Sequence, residues 1–324
     1  MKKPIVIVTR RWPEEVEARL SDHFELTLNK TDAPFLQKDL KDAFRSYDAI
    51  FTTVTDKIDK DLFAGNDVRV KFIGNFGVGF NNIDVEAAQQ RGIVVTNTPD
   101  VLTDATADLT LALLLSVARG TGAGERHLRG GFWTGWRPTH MLGSQVTGKT
   151  LGIIGYGRIG QAAAHRARHG FGMGIKVYSR SLVPADVLAE NNAEQLSSLD
   201  KLMRISDFVS LHCPSTPETR YLINSDWLKL MKPSAFLINT ARGDLVNEED
   251  LIEALDAKTI AGAGLDVFEA EPRVNPGLLD RSDVVLLPHL GSATVETRNA
   301  MGFRVLENAV AFFAGSVPPD VVSL

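Results

Sequence analysis

The feature that most constrains the fold is a regular alternation of short β-branched runs with amphipathic, helix-like stretches. The first hundred residues contain five strand-like runs, at 5–8, 25–28, 49–54, 70–73 and 93–95. Six more follow at 149–154, 176–178, 208–211, 235–238, 261–265 and 284–287. Apolar strands that alternate with helices are typical of parallel sheets covered on both faces. The sequence therefore predicts an α/β fold with two doubly wound parallel-sheet domains.

Helical periodicity is predicted for 16–24, 35–44, 85–90, 104–119 and 295–314. The stretch 104–119 carries apolar residues on nearly every face, so we expect it to be buried. The following segment, 120–147, interleaves glycines, among them Gly120, Gly122, Gly124, Gly130 and Gly131, with Phe132, Trp133 and Trp136. That composition fits equally well an arm packed against a second subunit and a loop folded onto its own domain.

Length and composition bound the class of protein. At 324 residues the chain is long enough for two domains. A net charge of −5 gives no basic surface for nucleic acid or an anionic membrane. The longest apolar run, 109–118, is about half of a bilayer span, and no signal-peptide core follows Lys3. We therefore expect a cytoplasmic protein. The single Cys213 excludes an internal disulfide and a cysteine zinc cluster, and we expect no metal.

A glycine-rich turn follows the first strand of the second series. Gly155, Gly157 and Gly160 fit the pattern G-x-G-x-x-G between that strand and an alanine-rich helix. The first glycine permits a tight turn, the second lets backbone approach a pyrophosphate, and the third lets helix and strand pack closely. Free N–H groups at the helix N-terminus attract the phosphates. This context predicts a Rossmann-type dinucleotide site.

The end of the next strand indicates which dinucleotide binds. Ser179, Arg180 and Ser181 stand where an NAD-selective site usually places a carboxylate for the ribose hydroxyls. A carboxylate would repel a 2′-phosphate, whereas two hydroxyls and a guanidinium can bind one. We therefore expect NADP(H) to be preferred, with NAD(H) possible because small neutral residues also leave a tolerant site.

Three charged residues lie at or beyond the carboxyl ends of predicted strands, where open α/β sheets bind ligands: Arg242, Glu271 and His289. Each alone is explained as well by a surface ion pair, a solvated loop carboxylate or a strand-end histidine. Together they suit reduction of a 2-oxo acid. The guanidinium binds the substrate carboxylate, and the imidazole donates a proton to the carbonyl oxygen. The carboxylate orients the imidazole and favours its charged form.

Seven motifs extend this pattern along the chain. They are G-V-G-F-N-N-I-D at 77–84, N-T-P-D-V-L-T at 97–103, the glycine turn at 155–160, L-H-C-P at 211–214, N-T-A-R-G at 239–243, D-V-F-E-A-E-P at 266–272 and P-H-L-G-S-A-T at 288–294. In these motifs and their order the chain resembles the D-isomer-specific 2-hydroxyacid dehydrogenases, and most closely their glyoxylate/hydroxypyruvate reductase branch. The resemblance implies NAD(P)H-dependent reduction of a small 2-oxo acid, glyoxylate or hydroxypyruvate, to the 2-hydroxy acid (the D-isomer where chiral).

The resemblance also implies a discontinuous domain arrangement. Residues 1–99 and 290–324 would form a flavodoxin-like substrate-binding domain, and residues 100–289 a Rossmann domain, with substrate in the cleft between them. The segment 120–147 would be a dimerisation arm, which makes a homodimer the expected assembly.

Residue roles follow from the same resemblance. It implies that Arg242, Glu271 and His289 are catalytic, and that Val78 and Gly79 bind the substrate through their backbone together with Arg242 and His289. It implies further cofactor contacts from a set of loop residues at the strand ends: Thr106, Arg158, Ile159, Cys213, Pro214, Thr219, Thr240, Ala241, Asp266, His289 and Gly291.

Two positions bear on specificity. Related formate dehydrogenases carry a glutamine as the histidine's partner because their reaction needs no proton transfer, so Glu271 favours acid–base chemistry. His140 aligns with a tryptophan that, in a reductase of this branch, reaches the neighbouring subunit's site, which leaves substrate size open. The alternatives are a dehydrogenase for bulkier 2-oxo acids such as phenylpyruvate, and a dinucleotide-sensing regulator resembling the corepressors built on this fold.

Overall fold

The computed structural model describes residues 2–323, which divide into two compact units. Unit 1 comprises 2–102 and 292–323, and unit 2 comprises Thr103–Gly291. The chain enters unit 2 three residues after the predicted boundary at 99/100, because the turn before the long helix at Thr103 remains with unit 1. It returns to unit 1 two residues after the predicted boundary at 289/290.

Unit 1 is built on a five-stranded parallel sheet with strand order β2-β1-β3-β4-β5. Its strands are β1 Ile5–Val8, β2 Glu25–Leu28, β3 Ala49–Thr53, β4 Phe72–Phe76 and β5 Val94–Thr96. Its helices are α1 Glu14–His23, α2 Gln37–Ser46, α3 Val85–Gln90 and α12 Val295–Phe313, with a 3₁₀ turn at Lys60–Phe63. The strand order changes direction between β1 and β3, as in a doubly wound sheet.

The C-terminal helix α12 belongs to this unit through aromatic packing. The Phe312 ring lies 5.1 Å from that of Phe72 on β4, and the Phe313 ring lies 5.8 Å from that of Phe24 after α1. Such ring pairs stabilise a core beyond the area that they bury. The discontinuous chain is therefore joined into one unit by a shared hydrophobic core.

Unit 2 is built on a seven-stranded parallel sheet with strand order β12-β11-β10-β9-β6-β7-β8. Its strands are β6 Thr150–Ile154, β7 Gly174–Tyr178, β8 Ala193–Gln195, β9 Phe208–Leu211, β10 Phe236–Asn239, β11 Gly262–Leu265 and β12 Val284–Leu286. Its helices are α4 Thr103–Arg119, α5 Thr121–Arg129, α6 Arg158–Phe171, α7 Ala185–Ala189, α8 Leu199–Ile205, α9 Ser225–Leu228, α10 Glu248–Asp256 and α11 Pro276–Leu279, with a 3₁₀ turn at Gly243–Leu245. The predicted pair of doubly wound parallel sheets is confirmed.

Three local predictions differ from the structure. The strand predicted at 70–73 is β4, two residues further on, and it takes in the buried polar Asn75. Segment 120–147 begins with the helix α5, which the glycine content did not predict. Helix α4, which we expected to be buried, has one buried face. Its residues Asp104 and Asp108 are exposed and form ion pairs with Arg166.

Within residues 2–323, no helix is both long and apolar enough to span a bilayer.

Candidate active site

The predicted site residues of unit 2 gather at one edge of its sheet. All seven strands are parallel, so the loops that follow them leave the sheet on the same side. The glycine turn follows β6, the loop around Ser179–Ser181 follows β7, and Arg242, Asp266 and His289 follow β10, β11 and β12. This edge is where an open α/β sheet binds its ligands.

Glu271 and His289 form a hydrogen-bonded pair at this edge. Glu271 Oε2 lies 2.8 Å from His289 Nδ1, and the other oxygen, Oε1, accepts the Phe268 N–H at 3.0 Å. Burial alone would raise the pKa of the Glu271 carboxyl, but the bond to His289, its charge, the Phe268 N–H and the Arg242 charge together lower it. The carboxylate therefore stays ionised, and it fixes the imidazole so that Nε2 is the nitrogen left for a substrate.

The backbone that carries His289 is held by the buried Asp266. His289 donates its N–H to the Asp266 carbonyl at 2.9 Å, while the Asp266 carboxylate accepts the N–H groups of Leu290 at 2.6 Å and Gly291 at 2.8 Å. His289 itself adopts φ +55°, a left-handed conformation that non-glycine residues rarely take. Backbone strain of this kind is concentrated at functional sites, and Asp266 stabilises it here.

Arg242 lies at the same edge, directly after β10. Its carbonyl accepts a hydrogen bond from Asn239 Nδ2 at 2.8 Å, which fixes the start of the loop. Burial lowers the pKa of the Arg242 guanidinium, while the charges of Glu271 and Asp244 act in the opposite direction. A guanidinium remains charged under these conditions. The structure thus places Arg242 within electrostatic reach of Glu271, which also holds His289.

Gly243 brings the Arg242 loop against the Glu271 loop. A Cβ added at Gly243 would lie 1.9 Å from the carbonyl carbon of Phe268 and 2.4 Å from the Glu269 nitrogen. Only a residue without a side chain permits this approach of two backbones. The close contact sets the spacing between the guanidinium and the carboxylate.

The glycine turn after β6 fits a dinucleotide. Gly155 has φ +92°, and a Cβ there would lie 2.6 Å from the Cys213 nitrogen, so the turn packs tightly against the next loop. A Cβ at Gly160 would lie 2.4 Å from the Gly155 oxygen. At Gly157, by contrast, a Cβ would meet nothing within 4 Å. Helix α6 begins there without a side-chain cap or an acidic residue in its first turn. The N-terminus of α6 therefore borders open space that suits a phosphate.

The remaining predicted cofactor residues of unit 2 line the same loops. Thr106 donates its hydroxyl to the Gly291 carbonyl at 3.1 Å, and Thr219 donates to the Pro214 carbonyl at 2.7 Å. Arg158 and Ile159 are the first two residues of α6. Thr240, Ala241 and Cys213 follow β10 and β9, and burial raises the pKa of the Cys213 thiol to about 11. That thiol is therefore a neutral, packed group and not a nucleophile.

One residue that orders the cofactor edge was not predicted. Gln195, on the short strand β8, donates its side-chain amide to the carbonyls of Ser179 at 3.4 Å and Ser181 at 2.9 Å. Its amide oxygen accepts the Val183 N–H at 2.8 Å. Gln195 thereby shapes the loop that presents Arg180, which is exposed. A polar residue in a three-residue edge strand gives no sequence signal that could have identified it.

Val78 and Gly79 belong to unit 1, in the loop that follows β4. His140 lies in the segment after α5, where its Nδ1 is 3.1 Å from Arg137 and its ring centroid 5.1 Å from that of His127. The structure therefore places the catalytic candidates in unit 2 and the predicted backbone donors in unit 1.

Comparison with known proteins defines the class to which this fold and edge belong. Residues 111–291 match the family model described as D-isomer specific 2-hydroxyacid dehydrogenase, NAD binding domain. The chain belongs to this family, which confirms the resemblance inferred from the seven motifs. A nicotinamide dinucleotide is thus the cofactor of unit 2.

Individual relatives place the chain in one branch of the family. A glyoxylate reductase from Thermococcus litoralis is 48% identical over 99% of this chain and 97% of its own length. The structure of a glyoxylate reductase from Paecilomyes thermophila superposes with a TM-score of 0.87 at 32% identity, with 99% of both chains covered. An NADPH-dependent glyoxylate/hydroxypyruvate reductase from Sinorhizobium meliloti, solved with NADP and malonate, superposes with a TM-score of 0.86 at 36% identity, covering 99% of this chain and 97% of that one. The branch is that of the glyoxylate reductases.

Proposed function

We propose that this protein reduces glyoxylate or hydroxypyruvate to the 2-hydroxy acid with NAD(P)H, and that Arg242, Glu271 and His289 are its catalytic residues. The observation that carries the proposal is the 2.8 Å contact between Glu271 and His289, at the ligand edge of the sheet that also carries the half-buried Arg242. Glyoxylate reductases that are nearly half identical over the full length support the same chemistry.

His289 is the proton donor in this mechanism. Glu271 occupies Nδ1, so the imidazolium delivers its proton from Nε2 to the carbonyl oxygen of the 2-oxo acid. The negative charge of Glu271 stabilises the imidazolium before transfer. The bound reduced nicotinamide supplies the hydride that converts the carbonyl carbon to a C–H centre. Proton and hydride together convert the ketone or aldehyde to an alcohol, and the reverse reaction returns the proton to Nε2.

Arg242 binds the carboxylate of the 2-oxo acid. Its planar guanidinium donates two parallel hydrogen bonds to a carboxylate, which fixes the plane of the substrate. Arg242 is half-buried, which strengthens this interaction because less water competes for the guanidinium than at an exposed position. Positive charge next to the carbonyl also stabilises the oxygen as it gains electron density. We also propose that Val78 and Gly79 of unit 1 bind the substrate through their backbone N–H groups.

The test is a steady-state screen of glyoxylate, hydroxypyruvate and phenylpyruvate with NADPH and with NADH. His289→Gln should lower kcat by about 10²- to 10⁴-fold while NADPH binding, followed by its fluorescence, is kept. His23→Gln, at an exposed position of α1, is the matched control and should behave as wild type. Preference for phenylpyruvate would favour the bulkier-substrate dehydrogenase. Cofactor binding without turnover of any 2-oxo acid would favour the dinucleotide sensor.

We also propose that NADP(H) is the preferred cofactor. The loop after β7 carries Ser179, Arg180 and Ser181 and has no carboxylate at these positions. The side chain of Gln195 holds this loop by donating hydrogen bonds to the carbonyls of Ser179 and Ser181. Arg180→Ala should reduce kcat/KM with NADPH by about tenfold, the value of a charge-assisted hydrogen bond, and leave that with NADH unchanged. Arg204→Ala, on the exposed face of α8, is the control. Equal losses with both cofactors would contradict this preference.

A homodimer formed through segment 120–147 is the proposed assembly. Trp136 is 82% exposed, and Phe132 and Leu142 are also largely exposed, so this segment carries an apolar surface of the kind that partners cover. Trp136→Ser should shift the protein toward monomers in size-exclusion chromatography with light scattering. Leu182→Ser, at a position 90% exposed outside this segment, should not. A wild-type monomer would refute the dimer.

A further inference from the structure

Three residues hold the backbone carbonyls of the loop after β4 by hydrogen bonds. Asn75 Nδ2 donates to the Gly77 carbonyl at 3.3 Å and to the Gly79 carbonyl at 2.9 Å. The carbonyl between them, that of Val78, accepts from Asn97 Nδ2 at 2.8 Å. The Thr98 N–H adds a second bond to the Gly77 carbonyl at 3.0 Å. Three consecutive carbonyl groups are therefore fixed in orientation by unit 1 itself.

Because the peptide group is planar, the direction of each carbonyl also fixes the direction of the N–H group of the next residue. In a trans peptide the N–H of each residue points opposite to the carbonyl of the residue before it. The held carbonyls therefore turn the N–H groups of Val78, Gly79 and Phe80 away from the two asparagines. Within residues 2–323, none of these three N–H groups donates to another group of the protein. Successive backbone N–H groups of a turn can bind an anion.

Asn75 is the residue on which this arrangement depends. It is fully buried in the strand β4, where a polar side chain is costly unless it is hydrogen-bonded. Its amide oxygen accepts from the Thr52 hydroxyl of β3 at 3.4 Å, so the amide group is oriented with its nitrogen toward the loop. The loop also packs closely against β3 and the residues after it, because a Cβ at Gly77 would lie 2.9 Å from Val54 Cγ1.

We propose that Asn75 is a positioning residue that builds a three-donor carboxylate site from the N–H groups of Val78, Gly79 and Phe80. The proposal rests on the reductase function above, and it adds Phe80 as a donor and Asn75 as the residue that aims all three. The ligand is the carboxylate of a short 2-oxo acid, whose two oxygens accept more bonds than two donors supply.

The test compares Asn75→Asp with Asn75→Ser. Aspartate keeps the size but cannot donate when ionised, while serine keeps one donor. We expect the KM for glyoxylate to rise by about 10- to 100-fold in Asn75→Asp and by less in Asn75→Ser. The KM for NADPH should not change, because the cofactor belongs to unit 2. Asn29→Asp is the matched control, since Asn29 is also buried and also donates to two backbone carbonyls.

A binding measurement tests the carboxylate site independently of glyoxylate turnover. Oxamate, a two-carbon 2-oxo carboxylate that is not reduced, is titrated into the NADP-loaded protein by calorimetry. Weaker oxamate binding in Asn75→Asp than in wild type and Asn29→Asp supports the site, whether or not glyoxylate is turned over. Equal oxamate affinity in all three proteins, or no oxamate binding by wild type, overturns it. Absence of glyoxylate turnover in wild type with intact oxamate binding overturns only the proposed reaction.

Discussion

The glycine turn offers a substitution whose effects on folding and on binding should separate. In Gly157→Ala the added methyl group meets no atom within 4 Å, and φ at this residue is −76°, which alanine adopts freely. The unfolding free energy of the cofactor-free protein should therefore stay within about 0.5 kcal/mol of wild type. If the open space in front of α6 is where backbone approaches the pyrophosphate, the methyl group will occupy it.

The size of the binding defect follows from the contact that is lost. A hydrogen bond from a backbone N–H to a charged phosphate contributes about 1.5–3 kcal/mol. Removing one such bond should raise the dissociation constant for NADPH by about 10- to 150-fold. Fluorescence titration of NADPH measures that constant, and denaturant unfolding without cofactor measures the stability.

Two further glycine substitutions make the comparison decisive. In Gly155→Ala the methyl carbon would lie 2.6 Å from the Cys213 nitrogen at φ +92°, so this variant should lose about 1–3 kcal/mol of stability. Gly174→Ala, whose nearest neighbour is Thr150 Oγ1 at 3.8 Å, should change neither stability nor binding. Wild-type NADPH affinity in Gly157→Ala would refute the assignment of this turn to the phosphates.

Two more predictions concern the loops that carry Arg242, Glu271 and His289. Gly243→Ala should destabilise the protein by about 3 kcal/mol or more, because the methyl carbon would lie 1.9 Å from the Phe268 carbonyl carbon and two backbones would have to separate. Denaturant unfolding measures this loss of stability. A smaller loss would mean that the two loops separate easily. The pKa of Glu271 is lowered in the folded protein because His289, the Phe268 N–H and nearby charge outweigh burial, so its stabilisation is present at neutral pH and is lost as pH falls through the folded pKa. The stability difference between wild type and Glu271→Gln should accordingly shrink on acidification, and a difference that is constant with pH would contradict this account.

The strands could be predicted wherever local pattern and burial agree. β1, β2 and β9 have the predicted bounds because each is a short run ended by polar or turn residues. The start of β4 was placed two residues early because the apolar Val70 precedes Phe72 and Ile73, whereas the ladder to β3 runs from Phe72 to Phe76 and includes the polar Asn75. Helix α5 was missed because its glycines suggest a loop, although Arg126, His127 and Arg129 in its last turn complement the helix dipole.

The catalytic candidates could be named from sequence because open α/β sheets bind ligands at the carboxyl ends of their parallel strands, a position that the topology fixes. Side chains that orient the backbone are different. Gln195 acts through bonds to carbonyls of the loop after β7, so its role depends on a tertiary contact. Asn75 bonds carbonyls only two and four residues further along the chain, but the orientation of its amide depends on the contact with Thr52 of the neighbouring strand β3. A buried amide within an apolar strand is the one signal that could have pointed to Asn75.

Close backbone contacts between neighbouring loops fix the geometry at the ligand edge of the unit 2 sheet. The loop after β6 touches the loop after β9 at Gly155, and the loop after β10 touches the one after β11 at Gly243. In both cases backbone rests on backbone, so a displacement of one loop is transmitted to the next. Glu271 and Arg242 are therefore positioned by the same contact, and a change at Gly243 should disturb proton transfer and carboxylate binding together, whereas a change at Gly157 should leave both intact once cofactor is saturating.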